Sequence, residues 1–325
     1  MNINRLLFQK MDENTTNSTY NGIITTSYHN SHSFINNISV VVNIGGLQST
    51  PGAAHFLEHM KFWYNNTNLY DTMNKLQTVL NATTSEFTTD FSLCCTKNQI
   101  TISINHLLKS LYNHTFSIDI FEKEKKVIIN EIKGYDLLIS DKEQLNFIRK
   151  IIGRIPEVKS LTIEELSKLS IKNYQKNNTH IYIYGDMSID NEESTSNNYN
   201  NGVLHIPIKF IDKECTISGK NIEIIIKVLY LTFCGDFNFT YHGRYIKTNQ
   251  AYRKLSKIHF DNDDYLIFKN NSFKRVVDLL EDPNSALRFL EFFKIQKGDF
   301  SRFYDCMSNS LKLETLLDNL ITEVN

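Results

Sequence analysis

Residues 38–44, Ile-Ser-Val-Val-Val-Asn-Ile, make a β-branched and mostly apolar run, the pattern of a strand buried in a sheet. Gly45-Gly46 closes it. Thr50-Pro51 then offers an N-cap residue followed by a proline at the first helical position, which predicts a helix carrying 53–62. A second helix is expected over 69–80, and 87–95 alternates like a strand. Residues 98–105, Asn-Gln-Ile-Thr-Ile-Ser-Ile-Asn, alternate cleanly and predict the next strand. Helical patterns follow at 107–112 and 118–138, and Thr162 with Glu165 has the spacing of a capping box that opens another helix. Residues 180–186 read as a strand closing in a turn.

The composition then changes. Residues 191–201 are nearly all Asn, Ser, Glu, Thr and Tyr, as expected of a linker. The pattern therefore divides the chain into a first domain over 1–190, a linker over 191–202 and a shorter second domain over 203–325. In the second domain 203–211 and 265–268 predict strands, while 222–233, 273–280 and 286–295 predict helices. Leu311, Leu313, Leu316, Leu317, Leu320 and Ile321 add a helical stripe of core type.

Bulk properties mainly exclude. With 325 residues and 41% hydrophobic content, wholesale disorder is ruled out. Lys and Arg number 35 against 36 Asp and Glu, a net charge of −1, so nothing draws the whole chain to nucleic acid or anionic membrane. The five cysteines are odd in number, two are adjacent, and none is in a C-x-x-C pair, which disfavours both a disulfide framework and a cysteine zinc site. The most apolar run, 224–234, is too short to span a bilayer, and the N-terminus lacks the apolar core of a secretion signal. A reducing cytoplasm is the expected location. Few prolines and many Asn, Ile and Lys fit the codon use of an AT-rich, bacterial genome.

The chemistry is concentrated in Ala53-Ala-His55-Phe-Leu-Glu58-His59-Met60. On a helix, His55 and His59 lie one turn apart on one face, where both imidazoles can reach one zinc. Glu58 falls on the same side and can take a proton from water held there. This is the inverted H-x-x-E-H order of a zinc hydrolase. Taken alone the run also fits an amphipathic helix with solvent-facing polar residues. A catalytic zinc needs a third ligand and an open position. Glu131, within Val-Ile-Ile-Asn-Glu-Ile, is the candidate, with Glu124 two turns earlier on the same face as a supporting acid. Glu131 by itself reads equally as a surface glutamate.

Over most of 30–190 the sequence resembles the pitrilysin/insulinase peptidases. Gly52-Ala-Ala-His-Phe-Leu-Glu-His-Met60, Asn81-Ala82-Thr83-Thr84 with Thr89 and Phe91, and Glu124, Val127, Glu131 and Ile132 carry the likeness. Leu161-Thr-Ile-Glu-Glu-Leu, Asn173-Tyr174, Asn177-Asn178 and Tyr184-Gly-Asp186 extend it. The resemblance implies an α+β fold of two-layer sandwich domains, mainly antiparallel sheet with helices on one face, the second domain truncated. It implies Zn2+ on His55, His59 and Glu131, Glu58 as general base, and Glu124 orienting the site from behind. Asn81 and Ala82 would lie on a strand edge that pairs with an extended peptide. The acid that often follows this asparagine in the family is Phe87 here, with Glu86 just before it.

Family members build a closed chamber from homologous domains, in one long chain or across two shorter ones, and the second half supplies an Arg and a Tyr to the substrate carbonyl. The nearest counterparts here are Arg244 and Tyr252, whose spacing departs from the family's. The pair is degenerate or comes from a second, homologous subunit, and the divided arrangement is the one expected. The resemblance thus implies a zinc metalloendopeptidase subunit acting on small unfolded peptides, such as the precursor of a bacteriocin. The alternative is a non-catalytic peptide-binding or scaffold subunit, which the family also contains.

Overall fold

The β-branched runs dictate where the sheets form. In the computed structural model, which describes residues 3–186, 204–210, 212–233, 239–242, 245–248 and 260–324, α1 (Ile3–Asn14) leads into a hairpin of β1 (Thr15–Tyr20) and β2 (Ile23–His29). Asn21 and Gly22 turn it with φ of 51° and 76°, the left-handed pair that matches the twist of a two-residue hairpin. There follow β3 (Asn36–Val42), α2 (Ala53–Met60), the short β4 (Trp63–Tyr64) and β5 (Thr67–Asn68), α3 (Leu69–Lys75), β6 (Val79–Thr84) and β7 (Thr89–Cys95). Helices α4 (Ile100–Leu111), α5 (Ile118–Leu138), α6 (Lys142–Ile152), α7 (Ile155–Ser160) and α8 (Ile163–Asn173) precede β8 (Thr179–Gly185).

The strands form a six-stranded sheet in the order β1-β2-β8-β3-β7-β6. At its middle, β3 pairs antiparallel with both β7 and β8, Val40 facing Phe91 on one side and Ile181 on the other. Among the described residues β6 pairs only with β7 and is an edge. Ile38, Val40 and Val42 are fully buried, joined in one core by Phe56, Leu57 and Met60 of α2, Ile104 and Leu107 of α4, and Ile128 of α5. The mixed α+β class expected from the sequence is the one observed.

Three sequence expectations are corrected. Residues 98–105 are not a strand, because Ile100, Ser103, Ile104, Leu107, Leu108 and Leu111 are the buried positions of the helix α4, while Ile102 is exposed. The alternation of Ile100, Ile102 and Ile104 covers little more than one turn of a 3.6-residue period, too short to separate the two patterns. The helix expected over 69–80 ends at Lys75, since Gln77 takes a φ of 53° and Val79 begins β6. Residues 265–268 are helical within α10 (Asn262–Glu281), opened by Asp261, whose side chain accepts the N–H of Asp264.

The second sheet runs β10-β9-β12-β11, with β9 (Leu204–Lys209), β10 (Glu214–Gly219), β11 (Phe239–His242) and β12 (Tyr245–Thr248). Helices α9 (Asn221–Phe233), α10, α11 (Pro283–Phe293), α12 (Asp299–Met307) and α13 (Ser310–Val324) complete that part. The chain divides into two compact units, 19–25 with 30–191, and 1–18 with 26–29 and 192–325. Helix α1 belongs to the latter: Phe8 packs on Phe273 at 5.0 Å, and Asp12 accepts the N–H groups of Gly298, Phe300 and Ser301 at the start of α12. The expected linker, 191–202, lies outside the described residues. No helix among the described residues is long and apolar enough to cross a membrane.

Candidate metal centre

Helix α2 begins later than Thr50-Pro51 suggested. Its N-cap is Gly52, with a φ of 84° that other residues rarely adopt, and a Cβ there would stand 2.7 Å from the Ile152 carbonyl oxygen. That close approach seats the helix start against the end of α6. Seven of the eight residues of α2 are buried, His59 being the exception. Phe56 stacks on Phe121 of α5, ring centroids 4.8 Å apart and 8° from parallel, fixing the separation of the two helices. Across that gap α2 presents His55, Glu58 and His59, and α5 presents Glu124 and Glu131.

The His55 and His59 rings lie 4.9 Å apart and nearly perpendicular. Glu131 Oε2 stands 3.6 Å from His55 Nε2 and 3.5 Å from His59 Nε2, too long for well-formed hydrogen bonds. Donors bonded to one tetrahedral zinc at 2.0–2.1 Å sit about 3.4 Å apart, close to the separation of the Glu131 oxygen from each imidazole nitrogen, and all three ligand atoms lie within 4.8 Å of one another. Behind them, Glu124 Oε2 is 3.1 Å from His59 Nδ1, and its other oxygen accepts the Trp63 indole N–H at 3.0 Å. Holding Nδ1 leaves Nε2 directed at Glu131. Two imidazoles and a carboxylate, one ring braced by a second carboxylate, fit zinc.

Electrostatics differ sharply within a few ångströms. Burial, reinforced by His59, lowers the His55 pKa to about 4, leaving a neutral imidazole. Burial also raises Glu58 to about 7, against hydrogen bonding from the Thr84 hydroxyl, which donates to Oε2 at 2.5 Å. For His59 burial acts downward, but the hydrogen bond to Glu124 and the nearby carboxylates of Glu131 and Glu58 outweigh it and lift the pKa to about 9. Glu131 is likewise held below its usual value by His59 and His55, despite burial.

These groups line a cavity of about 530 Å3, which Asn81, Ala82, Thr83 and Thr84 of the edge strand β6 also line. Asn81 and Ala82 thus share the cavity with His55, Glu58, His59, Glu124 and Glu131. Arg244 and Tyr252 lie outside the described residues. Sequence reasoning passed over Trp63, Tyr70 and Tyr135, which line the same space, and gave Thr84 no role. Tyr135 was accessible as the next turn of the α5 face after Glu131.

The sequence profile of the insulinase family, peptidase family M16, matches residues 25–152. Over that segment the chain is similar to this family. A Bacillus subtilis (strain 168) protein named "Putative zinc protease AlbF" is 32% identical over 148 residues, 41% of this chain and 34% of its own length. The "Probable mitochondrial-processing peptidase subunit beta" of Schizosaccharomyces pombe is 26% identical over 211 residues, 57% of this chain and 44% of its own. The chain therefore spans less than half the length of the curated relatives it matches. Among solved structures, the first half of the periplasmic protease PqqL from Escherichia coli superposes with a TM-score of 0.63 at 14% identity, covering 96% of this chain and 90% of that one. At such identity the likeness is one of fold.

Proposed function

We propose that this chain is a zinc-dependent endopeptidase subunit that hydrolyses extended, unfolded peptides. The observation that carries the reading is Glu131 Oε2 set at 3.5 and 3.6 Å from two imidazole nitrogens, beside a buried Glu58 in one open cavity. His55, His59 and Glu131 would hold the ion. Zinc supplies Lewis acidity, which makes water acidic near neutral pH and polarises a carbonyl. Glu58, whose pKa near 7 suits proton exchange at neutral pH, would take the proton from water and deliver it to the leaving amine. Thr84 orients its carboxylate through Oε2. Glu124 keeps His59 in the tautomer that frees Nε2.

Substrate would lie along β6. An edge strand offers backbone groups to an extended chain and tolerates varied side chains, which suits a short ribosomally made peptide such as a bacteriocin precursor. Asn81 and Ala82 are the contact positions on that edge. A homologous second chain would close over the cavity. The test is Glu58→Gln, assayed with a pool of internally quenched unstructured peptides. It is expected to keep one zinc per chain and to cleave about 1000-fold more slowly. Cleavage at the wild-type rate would contradict the assignment.

A further inference from the structure

Just past the end of α2 the chain folds into a tight hairpin, and its tryptophan reaches back to the metal centre. Asn65 and Asn66 take φ of 48° and 61°, the left-handed pair that a two-residue turn requires, and they set β4 against β5 with Trp63 opposite Asn68. The backbone there is anchored independently of the indole: the Phe62 carbonyl accepts the Leu69 N–H at 2.7 Å, and the Trp63 carbonyl accepts from Ser110 Oγ at 3.4 Å. The indole itself is only half-buried. It forms part of the wall of the metal cavity and also of a second cavity, of about 250 Å3. Core packing therefore encloses the ring incompletely, and polar contacts from α5 complete the hold. Two consecutive residues of that helix grip it: the Lys123 ammonium lies over the ring, 4.4 Å from its centroid, and Glu124 Oε1 accepts the indole N–H at 3.0 Å.

We propose that Trp63 is a positioning residue of the metal centre, acting on the ion through Glu124 and His59. The proposal rests on the zinc reading above and extends it outward by one residue. The last torsion of a glutamate is broad and roughly two-fold, so the side chain alone does not fix which way its oxygens point. An indole N–H can only donate, which commits Oε1 as an acceptor and pins one end of the carboxylate. Oε2 is then kept at His59 Nδ1, 3.1 Å away, and the imidazole presents Nε2 to Glu131. Without the indole bond the carboxylate is held at one oxygen only. It can turn away from Nδ1, and the ring loses the partner that sets its orientation and tautomer. Zinc would then have to order groups that the intact chain presents already ordered.

The choice of side chain agrees with this role. Trp63 sits four residues beyond His59, on the far side of the gap between α2 and α5, and a rigid side chain with two rotatable bonds spans that gap at little cost in freedom. Phe56 stacked on Phe121 ties the same two parts of the chain by ring contact alone. Trp63 adds what that stack lacks, a directed donor.

Zinc affinity of the full chain, read by competition with a chromophoric chelator, tests the proposal in wild type, Trp63→Phe, Glu124→Gln and the double variant. Phenylalanine keeps an aromatic ring and removes the N–H. Trp63→Phe should bind zinc about 10-fold more weakly. The double variant should bind no more weakly than Glu124→Gln alone, because a residue that acts through Glu124 has nothing left to act on. A loss due to packing would add instead. Trp63 is the only tryptophan, so the wild-type chain gives a single indole N–H resonance by NMR, and it should move when zinc is added. Unchanged affinity in Trp63→Phe, losses that add in the double variant, or a resonance that zinc leaves in place overturns the proposal while the zinc reading stands. A wild-type chain that binds no zinc overturns both.

Discussion

Two clusters of buried polar groups flank the same short helix, and they are built on opposite plans. At the C-terminal end of α2, Lys61 is fully buried and its ammonium is enclosed. It donates to the Asn113 carbonyl at 2.5 Å and to Ser170 Oγ at 2.7 Å, while the rings of Tyr174 and Phe116 lie 4.6 and 5.2 Å away. His114 Nδ1 is 2.7 Å from the same Ser170 oxygen, and burial keeps the Lys61 pKa well below that of an exposed lysine. On the side face of α2, His55, Glu58 and His59 point instead into a cavity, and Glu131 meets them at distances that suit an ion better than a direct bond. A buried ionisable group whose neutral partners are all present ties elements together. Ionisable groups that converge on open space with incomplete bonding are arranged for something that binds.

The contrast breaks if the two clusters respond alike. The largest separation is expected from Glu124→Gln. The carboxylate accepts from both His59 and Trp63, whereas glutamine has one acceptor oxygen, so one donor is left unpaired. Zinc affinity, read by competition with a chromophoric chelator, should fall 10- to 100-fold with little change in the unfolding midpoint in denaturant. Next comes Lys61→Met, which should cost about 1–3 kcal/mol in denaturant unfolding by stranding the Asn113 carbonyl and Ser170, yet leave zinc affinity as it was. Loss of zinc binding in Lys61→Met would erase the distinction.

The smallest effect is a slope with pH. His59, at about 9 in the folded metal-free chain against 6.5 unfolded, keeps a proton that the unfolded chain has released. Its contribution is complete below 6.5 and disappears as pH rises to about 9, so metal-free stability should decline across that window. Below 6.5, Glu58, raised from 4.5 to about 7, and His55, lowered to about 4, act with opposite signs and largely offset one another. Zinc requires neutral His59, so zinc affinity should rise with pH over the same 6.5–9 interval. Thermal unfolding with chelator and zinc titration at matched pH check both slopes.

Which of these features could be read from the residues follows from how local each one is. That His55, Glu58 and His59 share one face of a helix could be read because five adjacent residues carry the spacing, and that Glu131 shares a face with Glu124 because seven residues make about two helical turns. Thr162–Glu165 was equally local, and its capping box is present with the Thr162 hydroxyl accepting from Glu165 N–H. The α4 error came from sampling too short a window: Ile100, Ile102 and Ile104 alternate, and only Leu107, Leu108 and Leu111 reveal the helical period. The β1–β2 hairpin was signalled by Asn21-Gly22, although the strands beside it are too polar to stand out. Trp63 and Thr84 acquire roles only through contacts with Glu124 and Glu58, 61 and 26 residues away in sequence. No local pattern encodes such pairings.

The claim on which the rest depends is that His55, His59 and Glu131 together hold one zinc. Metal analysis of the purified full chain beside Glu131→Ala, after dialysis against a weak chelator, measures it directly. The account predicts one zinc per wild-type chain and substantially less in Glu131→Ala, with both variants equally folded by circular dichroism. A wild-type chain that retains no zinc, or a Glu131→Ala chain that retains as much as wild type, would contradict it.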